Sequence, residues 1–191
     1  MKQHTAKTPL VAVLVVAAVA AVGVTVFQVR RQAEAERLER AGQLLDEIQA
    51  LKHPMRQASL EFTISLQASL EASDPSATER RESLEAAHQT LVRTVDAALR
   101  STSRLDAGDD PDNEALIASE RRYLQQMRQI FRTDFLQIIA VLHDDSQPVP
   151  ERRRRAEEQL DQAVRDGRQH IEAADKFRRE FVRQFGHRDP P

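Results

Sequence analysis

Apolar positions fall into two regimes along this chain. From Leu10 to Phe27 they are continuous, diluted only by Gly23 and Thr25, and from Arg30 onward they recur at steps of three and four with charged residues between them. The first regime gives 18 residues without a charge. Rising about 1.5 Å per residue as a helix, they cover about 27 Å, close to a hydrocarbon core of about 30 Å. With Gln28 and Val29 completing the span, residues 10–29 are predicted as a transmembrane helix behind a short basic tail, residues 1–9, that carries Lys2 and Lys7. Ala18-Val19-Ala20 has the small-x-small pattern of a signal-peptide cleavage site. The apolar run, however, continues through Val22, Val24, Val26 and Phe27, beyond the usual signal-peptide core of about 7 to 15 residues, so an uncleaved anchor is expected.

The second regime draws one helical face four times. A first helix over residues 30–72 carries Leu38, Ala41, Leu45, Ile48, Leu51, Met55, Ala58, Phe62, Leu66 and Leu70, with a kink or break expected at His53-Pro54 because proline removes an amide donor and clashes one turn back. Ser73-Asp74-Pro75 reads as a start signal for a second helix over residues 75–105, striped by Leu84, His88, Leu91, Val95, Leu99 and Thr102. Asp106 to Asn113 is a loop, and Asp110-Pro111 repeats the start signal. The third helix, residues 111–143, sets Ile117, Leu124, Phe131 and Ile138 seven apart, flanked by Tyr123, Met127, Phe135 and Leu142. The fourth, residues 151–185, is striped by Leu160, Val164, Gly167, Ile171, Ala174, Phe177 and Phe181, and residues 186–191 form a tail. Short loops force antiparallel neighbours. The predicted fold is therefore all-α: an N-terminal transmembrane helix followed by an antiparallel up-down-up-down four-helix bundle. In that geometry the loops near residues 73 and 145 lie far from the bilayer, while the Asp106 to Asn113 loop and the C-terminus point back toward it.

Composition narrows the function classes more than it names one. The chain has 28 Lys plus Arg against 30 Asp plus Glu, a formal net charge of −2, and no Cys. Mixed-sign charge with no basic stripe and little aromatic content argues against nucleic-acid binding. Without cysteine there is no disulfide, thiolate metal site or cysteine nucleophile. Ser59, Ser65, Ser69, Ser101 and Ser103 sit within helices or near their ends with no elbow turn or oriented base, so no enzyme is expected.

Three constellations could carry chemistry. Glu85-Ala-Ala-His88 has the E-x-x-H spacing that di-iron bundles use, but those need it twice, and the nearest partner, Asp166 with His170, is spaced four apart. A hydrogen-bonded histidine at the core boundary is the plainer reading of His88. Haem held by His170 with Met55 or Met127 lacks an attachment motif, and no cofactor is expected. Arg152, Arg153, Arg154 and Arg155 open the fourth helix, where the macrodipole disfavours cations. An anionic partner would offset this, as would Glu151, Glu157 and Glu158. Phe177, Phe181 and Phe185 share a face, as core or as an apolar mouth, and Ala17 with Ala21 would permit close pairing of anchors.

Topology is contested by the flanking charges. Lys2 and Lys7 precede the span and Arg30, Arg31, Arg37 and Arg40 follow it, yet long domains translocate with little regard to charge. A basic leader running directly into an apolar segment is similar to an export signal, so the bundle is expected on the extracytoplasmic side. The layout resembles the sensor half of bacterial chemoreceptors and sensor kinases. The resemblance covers no alignable motif and no second span follows the bundle, so no family is assigned. The leading expectation is a non-enzymatic, single-pass membrane protein acting as an interaction or scaffold module, with the bilayer contacted through Leu10 to Val29 and a protein partner or its own copies as the binding target. The alternative is a sensor-type or metal- or haem-binding bundle that recognises a small ligand through Glu85, His88, His170 or the arginine cluster.

Overall fold

The computed structural model describes the backbone of residues 8–75 and 77–186 and the side chains of residues 28–75 and 77–185. Among these residues the chain is helical throughout: α1 (Thr8–Glu71), α2 (Thr78–Thr102), α3 (Pro111–Leu142) and α4 (Val149–Gly186), with no strand, an architecture compatible with a four-helix bundle. Among the described residues no helix is long and apolar enough to cross a membrane. The span expected over Leu10 to Val29 falls, apart from its last two residues, on side chains outside the described set, as do the basic tail and the tail after Gly186. The chain divides into two compact units, Met1–Gly42 and Gln43–Pro191. The main core cluster lies in the second, built from all four helices by residues such as Phe62, Leu91, Leu124, Ile138 and Ala163.

Local chemistry sets the helix ends. Asp110 caps α3 by accepting from the Asp112 amide at 2.9 Å, and Pro111 occupies the first turn, where its missing amide costs nothing. The loop before it turns at Gly108, whose φ of 60° favours glycine. For α2 the expected Ser73-Asp74-Pro75 signal is three residues early: the helix starts at Thr78, with the Ala77 carbonyl taking the amides of Arg80 and Arg81 and no side chain capping it. Nor does α1 break at Pro54, which lies inside one continuous helix. Pro54 and Ala50 are both exposed, so the carbonyl that loses its partner faces water, while Met55 and Ala58 hold the next turn in the core.

Contact order gives the directions within the second unit. His88 meets Phe131, Asp96 meets Arg128, and Arg121 reaches Thr102, so α2 ascends as α3 descends. Between α3 and α4 the series is Asp112 with Gln184, Glu120 with Arg178, and Leu142 with Arg152, again in opposite senses. Lys52 with Glu120 and Phe62 with Phe135 run in the same sense along α1 and α3. Ala72 and Arg153 meet at one end of this unit and Asp112 and Gln184 at the other.

The stripes are right in period and shifted in phase at several positions. Leu44 rather than Leu45 is fully buried, Ala98 replaces Leu99, and Lys52 rather than Leu51 occupies a core slot. The largest shift is in α4, where Gly167, Ala174 and Phe181 of the expected stripe are buried but Ala156 and Ala163 complete the inward face and Val164 and Ile171 are exposed. Four of the five inward residues are alanine or glycine, and the contact at Gly167 is an ordinary one. The Ile130 Cδ1 methyl lies 3.8 Å from where a Gly167 Cβ would stand.

Candidate functional site

The E-x-x-H pair on α2 does not converge on one point. His88 is buried and its Nε2 lies 2.7 Å from the Phe131 carbonyl of α3, which makes that nitrogen the protonated one. Glu85 instead pairs with Arg81 at 3.1 Å and stands 3.7 Å from Nδ1 of His143, a histidine in the α3–α4 loop that sequence spacing does not single out. The His143 side chain is only 3% exposed, and burial, followed by the charge of Arg81, holds its pKa below 6.5. Its Nε2 is buried without a partner. Among the described residues no cluster of three or more His, Cys, Asp or Glu side chains could hold a metal ion.

The four arginines opening α4 are each engaged within the chain. Arg152, 5% exposed, donates to the Leu142 carbonyl at 3.1 Å and meets Asp145 at 3.0 Å. Arg153 donates to the Ala72 carbonyl, Arg154 pairs with Glu151 and Glu158 at 2.6 Å each, and Arg155 donates to Gln147 at 2.8 Å. Arg152 and Arg153, disfavoured by their own helix dipole, thus sit against the C-terminal ends of α3 and α1, whose last carbonyls lack intrahelical donors. Carbonyls of Leu142 and Ala72 and the side chains of Asp145, Gln147, Glu151 and Glu158 offset the dipole conflict from within the chain.

A second polar group lies deep between α1, α3 and α4. Glu120, 3% exposed, is approached by Lys52 Nζ at 2.6 Å and by Arg178 Nη2 at 3.0 Å, and Arg178 also binds Asp175 at 2.8 Å. Two cations and two carboxylates balance. Burial drives the Lys52 pKa down from 10.5, with Glu120 opposing the shift. Lys52 Nζ also stands 4.9 Å from the ring centre of Tyr123, whose hydroxyl burial, reinforced by the Glu120 charge, pushes up to about 12. Burying such charges is costly unless they are fully paired, so the network fixes the register of three helices more than it adds net stability.

Tyr123 is also the wall of a surface groove. On α3 the groove is lined by Ser119, Arg122, Tyr123 and Gln126, spaced i, i+3, i+4, i+7. On α4 it is lined at the same spacing by His170, Ala173, Ala174 and Phe177. The space between these two helical faces is about 310 Å³ and no carboxylate lines it. Among the described residues neither Arg122 nor His170 makes a hydrogen bond or ion pair. His170 is therefore placed beside Arg122 and Tyr123 rather than beside Glu85 or His88, and Phe177 turns to the groove while Phe181 is buried and packs 4.5 Å from Phe185. The i, i+3, i+4, i+7 recurrence is legible in the sequence of each helix, but which two faces meet is not.

Comparison with protein families, curated proteins and solved structures returned no match to this chain.

Proposed function

We propose that the chain is a non-enzymatic, single-pass membrane protein in which the segment over Leu10 to Val29 anchors an antiparallel up-down-up-down helical bundle on the extracytoplasmic side, and that the bundle works by contact as an interaction or scaffold module, its simplest partner being a second copy. The observation that carries this reading is a row of branched aliphatic side chains left in water on α4: Val164, Ile171 and Val182, 47%, 42% and 45% exposed. At 100° per residue they share one line about 70° round the helix from the alanine face. Isolated exposed apolar residues are ordinary, but an aligned row beside a core face made of alanine is the pattern of a second contact surface. Leu60 and Ile64, each 61% exposed, give α1 a shorter row of the same kind.

Sedimentation of the full chain in detergent tests the contact. The wild type sediments as an oligomer or, mixed with solubilised membranes, as a larger assembly, and the double variant Val164→Asp/Ile171→Asp reverts to a monomer with unchanged helicity. A wild type that is monomeric in both settings, or a variant that associates as well as the wild type, overturns the reading. A reporter fused to the C-terminus tests the side of the membrane.

A further inference from the structure

We propose that the groove between α3 and α4 binds a small aromatic carboxylate, its anionic group against Arg122 and His170 and its ring over Phe177. The site is independent of the contact function above, because the groove lies on the opposite flank of α4 from the Val164, Ile171 and Val182 row.

Four observations meet here. The cavity, about 310 Å³, is at the lower end of clefts that enclose small molecules, which run from about 300 to 1,000 Å³. Its polar lining is rich in donors: the guanidinium of Arg122, the imidazole of His170, the hydroxyls of Ser119 and Tyr123 and the amide of Gln126. No Asp or Glu lines it, so nothing in the lining competes with an incoming anion for the cation. Arg122 also differs from Arg152, Arg153, Arg154 and Arg155 of α4, all of which are engaged within the chain, in having no partner among the described residues. A guanidinium that is unpaired beside a cavity is the group that takes a carboxylate in a planar, charge-assisted pair.

The apolar half of the ligand follows from the other wall. Phe177 with the methyls of Ala173 and Ala174 gives a low apolar surface suited to a flat ring rather than a branched chain. Tyr123 keeps its proton, since burial raises its pKa to about 12, and so offers a hydroxyl donor at any physiological pH. The buried Glu120 faces Lys52 and Arg178, both within 3.0 Å, so its charge is neutralised before it reaches the groove.

The chain's single tyrosine is the reporter, because Tyr123 is the only one present and it lines the site. The full chain, labelled with ¹³C-tyrosine and held in maltoside micelles, is titrated with benzoate while the ring resonances are followed by NMR. A saturable shift is expected with benzoate, none with benzylamine, and one about tenfold weaker with acetate, which lacks the ring. Arg122→Gln weakens benzoate by about tenfold through loss of one charge-assisted pair. Ala173→Phe, at an exposed position on the rim, fills the groove and abolishes the shift while the helical circular dichroism stays as in the wild type. A linear, non-saturating response is partition into the micelle and overturns the proposal, as does equal binding of benzylamine or an Arg122→Gln titration that superimposes on the wild type.

Discussion

Glu120→Gln is the sharpest perturbation of the buried ion network. The substitution keeps size and one acceptor oxygen but removes the charge that faces Lys52 Nζ at 2.6 Å and Arg178 Nη2 at 3.0 Å. Arg178, 19% exposed, retains Asp175 at 2.8 Å, whereas Lys52, 8% exposed, keeps only the ring of Tyr123 as a close electrostatic partner. Breaking a buried pair from one side costs about 3 to 5 kcal/mol, and the remaining amide acceptor places this case near about 3. With a urea m-value of about 2 kcal/mol/M for a unit of this size, the midpoint falls by about 1.5 M. Lys52 supplies a sign test. Its folded pKa is already below 10.5 through burial, and losing Glu120 removes the main opposing charge. A lysine whose folded pKa is depressed is bound by a proton more readily in the unfolded chain, so the deficit is largest near neutral pH and shrinks as pH rises toward 10.5. The double variant Lys52→Met/Glu120→Leu removes both buried charges and returns to within about 1 kcal/mol of the wild type. Urea unfolding followed by circular dichroism at pH 7 and pH 9.5 reads all three. A midpoint shift for Glu120→Gln under about 0.5 M, or a double variant as weak as the single one, refutes the reasoning.

Three further outcomes follow from the same geometry. With one tyrosine and no tryptophan in the chain, phenolate absorbance reports Tyr123 alone: it titrates near pH 12 in the folded protein and near 10 in strong denaturant, and stability contributed by the raised pKa is lost between those values. A native midpoint near 10 would show the ring to be solvated. Gly167→Ala raises stability by about 0.5 to 1 kcal/mol, because the new methyl meets Ile130 at an ordinary 3.8 Å while helix propensity improves; thermal melts showing a loss would mean that α3 and α4 have no room to spare. His143 has a folded pKa below 6.5, so the unfolded chain takes up the proton first and stability falls as pH drops through and below 6.5; the groups facing it are Arg81, Glu85, Asp145 and Arg152. His143→Leu flattens that acid limb, and an unchanged slope across pH 7 to 5 would assign it elsewhere.

Much of the helical layout is legible in the sequence because the apolar period survives for four long segments. What the sequence hides is phase. Lys52 sits where a leucine-based stripe places Leu51, since a long side chain paired with Glu120 fills a core slot as well as an aliphatic one. In α4 Val164 and Ile171 outrank alanine on any hydropathy scale, yet they stay exposed while Ala156 and Ala163 join the expected Gly167, Ala174 and Phe181 on the buried face. Pro54 does not end α1, since Met55 and Ala58 of the next turn are held in the core, and the Ser73-Asp74-Pro75 signal yields to a start at Thr78 with the Ala77 carbonyl taking the first amides. The arginine run is legible as a conflict with its own helix, but the carbonyls of Leu142 and Ala72 that resolve it are 10 and 81 residues away. His170 is visible as a chemistry-bearing residue, whereas its neighbours Arg122 and Tyr123 emerge only once two helical faces are brought together.

The contact function is tested most directly in the membrane itself. A photo-crosslinking residue placed at Ile171 in the full chain, with Glu172 as the control on a neighbouring face, is irradiated in intact cells and the membrane fraction resolved by denaturing electrophoresis. The account predicts that the chain is recovered with the membrane and that position 171, not 172, gives one discrete adduct, at twice the chain mass if the partner is a second copy. Recovery outside the membrane, or an Ile171 position as silent as Glu172, would contradict it.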